Sequence, residues 1–305
     1  MGFNMSWNSA RVLVVGDLML DRWVYTVKTR ISPEAPIPII EQWEHFAELG
    51  GAGNALRHLE NLSTGPHVLI SVRGPDPSGE EIVSLAEKLS SRIHLLIDPL
   101  RRTTTKERFF IDGVPVYRRD SEDLKHLSDE LEESVIERVA ELIEQFDVLL
   151  LSDYAKGLFS DSLIQDLLML ARAHQIPIVS DPGFGRVAAF AGCDVIKPNS
   201  KEWQEYVGNE GSEDVALGKL FAAGTGSVLV THGKRGVQLL TPSFQMWAHP
   251  QEELEALDVT GAGDSVAAAV SLIVGSGLET KEHLDALNKI GGLVVSQNRT
   301  ILPKI

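Results

Sequence analysis

Short apolar runs recur along the chain at residues 11–16, 67–72, 148–152, 178–180, 195–196 and 228–231. Between them lie segments whose apolar residues return every three or four positions, most plainly 129–145 and 161–174. A strand buried on both faces reads as an uninterrupted apolar run, and the crossover that follows it as an amphipathic helix. The alternation predicts an α/β fold with a central, mostly parallel sheet and helices on both faces. Two segments break the rhythm, 23–43 and 104–119. The second alternates around Asp112-Gly113, a dipeptide suited to a two-residue hairpin, so the pair predicts a small β lid beside the main sheet. With no repeat, low-complexity tract or linker, one domain over residues 1–305 is expected.

Composition narrows the partners. Of 305 residues, 43% are hydrophobic, enough to bury a full core without disulfides. A single cysteine, Cys193, excludes an intramolecular disulfide framework, fits a reducing compartment and is expected to be a buried structural thiol. The 28 basic and 43 acidic residues leave a formal charge of −15. That balance argues against sequence-independent binding to nucleic-acid phosphates, though not against a local basic pocket. No stretch approaches the ~20 apolar residues of a membrane helix, and no basic segment followed by an apolar one opens the chain. A cytoplasmic protein without membrane partners is expected. Met1-Gly2-Phe3-Asn4-Met5-Ser6 fits the loose myristoylation pattern, but without polybasic support an ordinary terminus is the simpler reading.

In parallel α/β sheets, ligands bind beyond the carboxyl ends of the strands, where loops enter helix N-termini. The polar motifs fall there. Asp258-Val259-Thr260-Gly261-Ala262-Gly263-Asp264-Ser265 reads as a Gly-rich turn entering an apolar helix. Its glycines let backbone N–H groups converge on an anion, and the helix dipole favours negative charge. Asp264 is then placed to take a proton from a sugar hydroxyl while those amides stabilise a transferring phosphoryl group. An aspartate that only caps the helix would leave the same letters.

Other clusters carry similar pairs of readings. Gly50-Gly51-Ala52-Gly53-Asn54 would let a polyhydroxylated ligand approach the backbone beside the Asn54 amide, or would form a tight turn under a helix. Gly16-Asp17-Leu18-Met19-Leu20-Asp21-Arg22 sets two carboxylates just past the first strand, suited to sugar hydroxyls or to a cap and an ion pair. In Lys197-Pro198-Asn199-Ser200-Lys201-Glu202, Asn199 and Glu202 offer oxygens to Mg²⁺ or its waters; a Ser200 N-cap with an acidic first turn is the alternative. Val230-Thr231-His232-Gly233-Lys234-Arg235-Gly236 would pass close to a nucleotide, or is an ordinary hairpin turn. There is no P-loop, dinucleotide fingerprint or protein-kinase catalytic loop, and nine histidines without paired spacing give no tight metal site.

Taken in order, the Gly50 to Asn54 cluster, Asn199 with Glu202, and the run from Asp258 to Asp264 resemble the ribokinase-like (phosphofructokinase B) family of sugar kinases over nearly the whole chain. Three longer strings sharpen the resemblance: Val15-Gly16-Asp17-Leu18-Met19-Leu20-Asp21-Arg22, Arg30-Ile31-Ser32-Pro33-Glu34-Ala35-Pro36-Ile37-Pro38 and Leu151-Ser152-Asp153-Tyr154-Ala155-Lys156-Gly157. They are similar to the heptose-phosphate kinases of ADP-heptose biosynthesis, the branch that phosphorylates D-glycero-D-manno-heptose 7-phosphate at O1.

The resemblance implies a ribokinase-like fold with a β lid, a homodimer paired through the lid, and ATP with Mg²⁺ as co-substrate. It implies Asp264 as general base and Gly261, Ala262 and Gly263 as anion hole. Asp17, Asp21, Gly50, Gly51 and Asn54 fall on the sugar side. Asn199 and Glu202 fall beside Mg²⁺, through water, with Thr231, Gly233, Gly236 and Asn288 around the nucleotide. Lys106, Arg108, Arg118 and Lys156 are candidates for the distal phosphate, from charge and position. The expected product is heptose 1,7-bisphosphate. The same machinery acting on another sugar, sugar phosphate or nucleoside is the alternative, because pocket side chains set the acceptor. A non-catalytic sugar or nucleotide sensor on this fold is the alternative of another class. Two positions depart from the family: Gly183 follows Asp181-Pro182 where lysine is usual, and residues 296–300 lack the common Lys-x-Gly-Thr. No His-x-Gly-His motif of a fused nucleotidyltransferase occurs, so adenylyl transfer is expected to fall to a separate enzyme.

Overall fold

The computed structural model describes residue 7 and residues 9–250 and 261–295. The myristoylation pattern, Asp258-Val259-Thr260 and residues 296–300 lie outside the described residues. The chain runs through β1 (Val12–Gly16), β2 (Leu18–Ile31), β3 (Pro38–Gly51), α1 (Ala52–Leu62), β4 (His67–Arg73), α2 (Pro77–Ala86) and β5 (Arg92–Ile97). It continues through β6 (Thr105–Ile111), β7 (Val114–Ser121), α3 (Asp129–Leu142), β8 (Val148–Ser152), α4 (Asp161–Ala173), β9 (Ile178–Asp181) and β10 (Val195–Ile196). The remainder forms α5 (Ser200–Glu210), α6 (Glu213–Ala222), β11 (Ser227–Thr231), β12 (Val237–Leu240), β13 (Gln245–Ala248), α7 (Ala262–Gly275) and α8 (Leu284–Val295).

Nine strands form the main sheet in the order β13-β12-β11-β10-β9-β8-β1-β4-β5. From β5 to β11 every pairing is parallel, and β12 and β13 add an antiparallel edge. Burial explains why the central strands read as unbroken apolar runs. Val12 and Val14 point into the core beneath α1, α2, α7 and α8, whereas Leu13 and Val15 point into the core beneath α3, α4, α5 and α6. Val148 and Leu150 are split from Leu149 and Leu151 in the same way. Each fully buried aliphatic side chain removes area worth about 1.5–3 kcal/mol from water, so neither face tolerates a polar residue cheaply. The strands missed in the sequence are edge or interrupted ones: β5 is largely half-exposed, β13 mostly exposed, and β12 carries Gln238 in mid-strand.

The second sheet, in the order β3-β2-β6-β7, is the expected lid. Its hairpin turns at Asp112 (φ 49°) and Gly113 (φ 77°), the two successive positive angles that a tight hairpin twisting with its strands requires. The lid strands are longer than the sequence segments suggested. β2 starts one residue beyond Asp17 and β3 runs without a break into α1, so Asp21 and Gly50 belong to the lid. One consequence concerns the glycines. A methyl on Gly50 would sit 2.0 Å from Oδ2 of Asp21, and one on Gly51, at φ +60°, would sit 2.3 Å from the Asp17 carbonyl. Gly51 is therefore required by its backbone, whereas a side chain on Gly50 would displace the Asp21 carboxylate.

Candidate active site

The Gly-rich turn meets α7 with Gly261 in the left-handed region at φ 81°. Among the described residues no side chain caps the helix N-terminus, which turns its first N–H groups toward the site, and Asp264 in the first turn is not a cap. The Asp264 carboxylate instead joins two other elements. Its Oδ2 accepts from Nδ2 of Asn54, 2.5 Å away in the first turn of α1, and its Oδ1 accepts from the Tyr154 hydroxyl. Ala267, Ala268 and Ala269 are fully buried, and such small side chains let α7 lie close against α1.

Tyr154 follows β8 on a loop pinned from below by Asp17. The Asp17 carboxylate accepts from the backbone amides of Tyr154, Lys156 and Leu158 at 2.8, 3.1 and 3.2 Å. Burial pushes its pKa up, and those three donors hold it down. Asp17 thus supports the loop, and it does not face the cavity where a sugar would bind. Asp153, also buried, is pushed up to about 6 by desolvation and by the neighbouring Asp17 charge.

Two residues the sequence reading passed over lie under the turn. Lys197, 2% exposed, reaches Oδ1 of Asp181 at 2.8 Å, and its Nζ lies 3.6 Å from where a Cβ on Gly263 would stand. Burial drives the Asp181 carboxyl up to about 7 against the pull of Lys197, with the Asp264 charge adding to the rise. A buried ammonium one turn below the first amides of α7 adds positive charge where an anion would sit. Lys197 opens one of the strand-end strings and Tyr154 lies within another, one and two residues past a strand, a position that sets them near the site without assigning either a role. Gly183, which stands where the family usually has lysine after Asp181-Pro182, lies close to the Tyr154 loop: a Cβ there would be 3.1 Å from Ala155 N.

The lid closes one wall of a cavity of about 150 Å³ that Asp264, Gly261, Asn54 and Tyr154 line from the main domain. Asp21, Lys106, Arg108 and Trp23 line it from the lid. Arg108 pairs with Asp21 at 2.8 Å and stacks its guanidinium 5.2 Å from the Trp23 ring centre. Lys156 is paired with Glu122 at 2.6 Å and Arg118 with Asp120 at 2.7 Å. Among the described residues Lys106 alone of these four cations has no carboxylate within ion-pair distance. Burial lowers its pKa, and the nearby Lys156 and Arg118 add to that while Asp21 opposes it. Arg118 and Lys156 are not among the cavity-lining residues.

On the opposite side of the turn, Asn199 is the N-cap of α5, and the expected Ser200 cap is corrected: Ser200 is the first helical residue. Asn199 Oδ1 accepts from the amides of Lys201 and Glu202, while Glu202 reaches back to the Asn199 amide at 2.6 Å. This reciprocal capping box engages both oxygens of Glu202, one on the Asn199 backbone amide and the other on its side-chain amide. Among the described residues no cluster of three His, Cys, Asp or Glu could hold a metal. The pair therefore fits Mg²⁺ that keeps its water shell and arrives on a nucleotide. Thr231 bridges Asn199 at the end of β11, and Gly233 and Gly236 shape the turn into β12. A methyl on Gly236 would lie 2.0 Å from the Ala248 carbonyl, so strand packing requires that glycine. Asn288 lies half-buried on α8, which packs on β12 and β13.

Residues 9–305 match the pfkB family carbohydrate kinase. Bifunctional protein HldE of Paramagnetospirillum magneticum is 35% identical over 292 residues, covering 94% of this chain and 60% of that protein, and HldE of Caulobacter vibrioides is 35% identical over 293 residues with the same coverage. The chain thus spans about 60% of the length of these curated relatives. Among solved structures, a carbohydrate kinase from Agrobacterium tumefaciens superposes with a TM-score of 0.72 at 24% identity, covering 97% of this chain and 94% of that one. Phosphofructokinase-2 from Escherichia coli superposes with a TM-score of 0.77 at 19% identity over 97% and 96%. The chain belongs to the pfkB family of carbohydrate kinases. Its fold is ribokinase-like. No described helix is long and apolar enough to cross a membrane.

Proposed function

We propose that the protein phosphorylates D-glycero-D-manno-heptose 7-phosphate at O1, using ATP with Mg²⁺, to give the 1,7-bisphosphate. The observation that carries this reading is that one cavity joins Asp264 to the lid cations Lys106 and Arg108. A phosphate at one end of the acceptor meets the cations, and a hydroxyl at the other end meets the carboxylate. Asp264 removes the proton from the anomeric hydroxyl as that oxygen attacks the γ-phosphorus, and the bond to the leaving ADP breaks. The amides at the start of α7 and the buried Lys197 stabilise charge on the phosphoryl oxygens, so positioning and electrostatics supply most of the acceleration. Glu202 and Asn199 would face Mg²⁺ brought in with ATP, which would supply neutralisation of the phosphate charge.

The lid supports a homodimer. Trp43 and Tyr117 are each more than half exposed on its strands, and the register sets both on the face that turns away from Trp23 and Arg108. Pairing of two lids would cover it. The test of the function is ADP release across hexose, pentose, sedoheptulose 7-phosphate and heptose 7-phosphate acceptors. A clear preference for the heptose, with phosphate appearing at O1, is the expected result; equal turnover of unphosphorylated sugars would remove it.

A further inference from the structure

We propose that Tyr154 is a positioning residue for phosphoryl transfer: its phenol holds the Asp264 carboxylate in the orientation that meets the acceptor hydroxyl. The inference rests on the reading of Asp264 as the base. Two donors grip that carboxylate, Tyr154 on Oδ1 and Asn54 on Oδ2, and together they fix its plane. A carboxylate offers about four lone-pair positions, so acceptance from a third donor, the substrate hydroxyl, remains open.

Tyr154 is itself held on three sides. Its amide donates to the buried Asp17 carboxylate at 2.8 Å, the following Ala155 is fixed at φ 53°, and Nζ of Lys106 lies 5.9 Å from the ring centre. A non-glycine residue in the left-handed region is uncommon, and here the three amides bound to Asp17 enforce it. Burial and the Asp264 charge push the phenol well above its ordinary pKa, so it remains a donor throughout the working pH range. The other charged groups facing this pair are Asp181 at the end of β9, Lys197 after β10, and Lys106 on β6 with Asp21 near it. Lys197 donates to Asp181 and not to Asp264, so the phenol and the Asn54 amide are the direct donors to Asp264 among the described residues.

The experiment follows ADP release with whichever acceptor the wild-type protein uses best, with Asp264→Asn alongside. An Asp264→Asn variant as active as wild type would sink the base assignment, and the proposal with it; that failure is seen before Tyr154 is tested. With Asp264→Asn inactive, Tyr154→Phe is expected to lower kcat by about ten- to a hundredfold with KM changed less than about threefold. The acid limb of the kcat/KM profile should move up by about one pH unit, since a hydrogen bond to a charged group is worth roughly a factor of ten or more. Incorporating 3-fluorotyrosine at position 154, a stronger donor of nearly the same shape, should move the limb down. An unchanged acid limb and kcat in Tyr154→Phe, or a change confined to KM, overturns the proposal. If Tyr154→Phe melts early, the fluorotyrosine protein decides, and an acid limb at the wild-type position overturns it.

Discussion

Asn54 donates its side-chain amide to the carboxylate of Asp264, 210 positions further along the chain. Each stands in the first turn of its helix, and the two helices pack against one another. The Gly-rich clusters at opposite ends of the sequence are therefore two halves of one site.

Replacing Asp264 with asparagine keeps shape and removes the base. We expect kcat to fall by about 10²–10⁴-fold with the melting curve nearly unchanged, measured by ADP release and circular dichroism. A variant within about threefold of wild type would show that proton removal happens elsewhere.

Lys197→Met leaves Asp181 as an unpaired buried carboxylate. Such losses cost about 3–5 kcal/mol, read from urea unfolding, and the double variant with Asp181→Asn should recover most of it because the stranded charge is gone. If the single variant is as stable as wild type, the pair is not the buried bond described here.

Lys106→Met should raise KM for a phosphorylated acceptor by about ten- to a hundredfold and leave KM for ATP near its starting value, because a charge-assisted contact is worth roughly 1.5–3 kcal/mol. Arg118→Met should change little, since that cation is already paired with Asp120 and lies outside the cavity lining. The reverse ranking would place the distal phosphate on β7.

The pH dependence of stability follows from Asp153. Its carboxyl titrates at about 6 when folded, against 3.8 unfolded, so the folded state holds the proton more tightly. Its contribution is complete below about pH 4 and is lost as pH rises through 6, by up to about 3 kcal/mol. Asp153→Asn should flatten the fall in melting temperature over that window. A slope identical to wild type would reassign it.

Tyr117→Asp places a charge on the exposed apolar face of the lid. We expect the dimer fraction to fall at least tenfold by light scattering at fixed concentration, with the fold intact. A monomeric wild-type protein would dismiss the lid interface.

Legibility in the sequence followed burial. Strands covered on both faces, such as β1 and β8, announced themselves because every side chain meets a core. The edge strands β5 and β13 did not, since half their positions face water. Asp264 and Asn54 were found because glycines mark the backbone beside them. Tyr154, Asp181 and Lys197 were not, because a tyrosine or an ion pair just past a strand has no spacing of its own and gains its role only from what lies opposite. Asp17 was placed on the sugar side from its position alone, and its three amide donors show it as a support for the loop.

The unbroken passage of β3 through Gly51 into α1 has a mechanical consequence. No slack separates the lid strand from the helix that carries Asn54. A tilt of the lid is expected to carry the Asn54 amide with it, so that gripping an acceptor and aligning the carboxylate would be one movement. Water alone cannot bridge the lid cations and Asp264, and idle hydrolysis of ATP is expected to be slow for that reason.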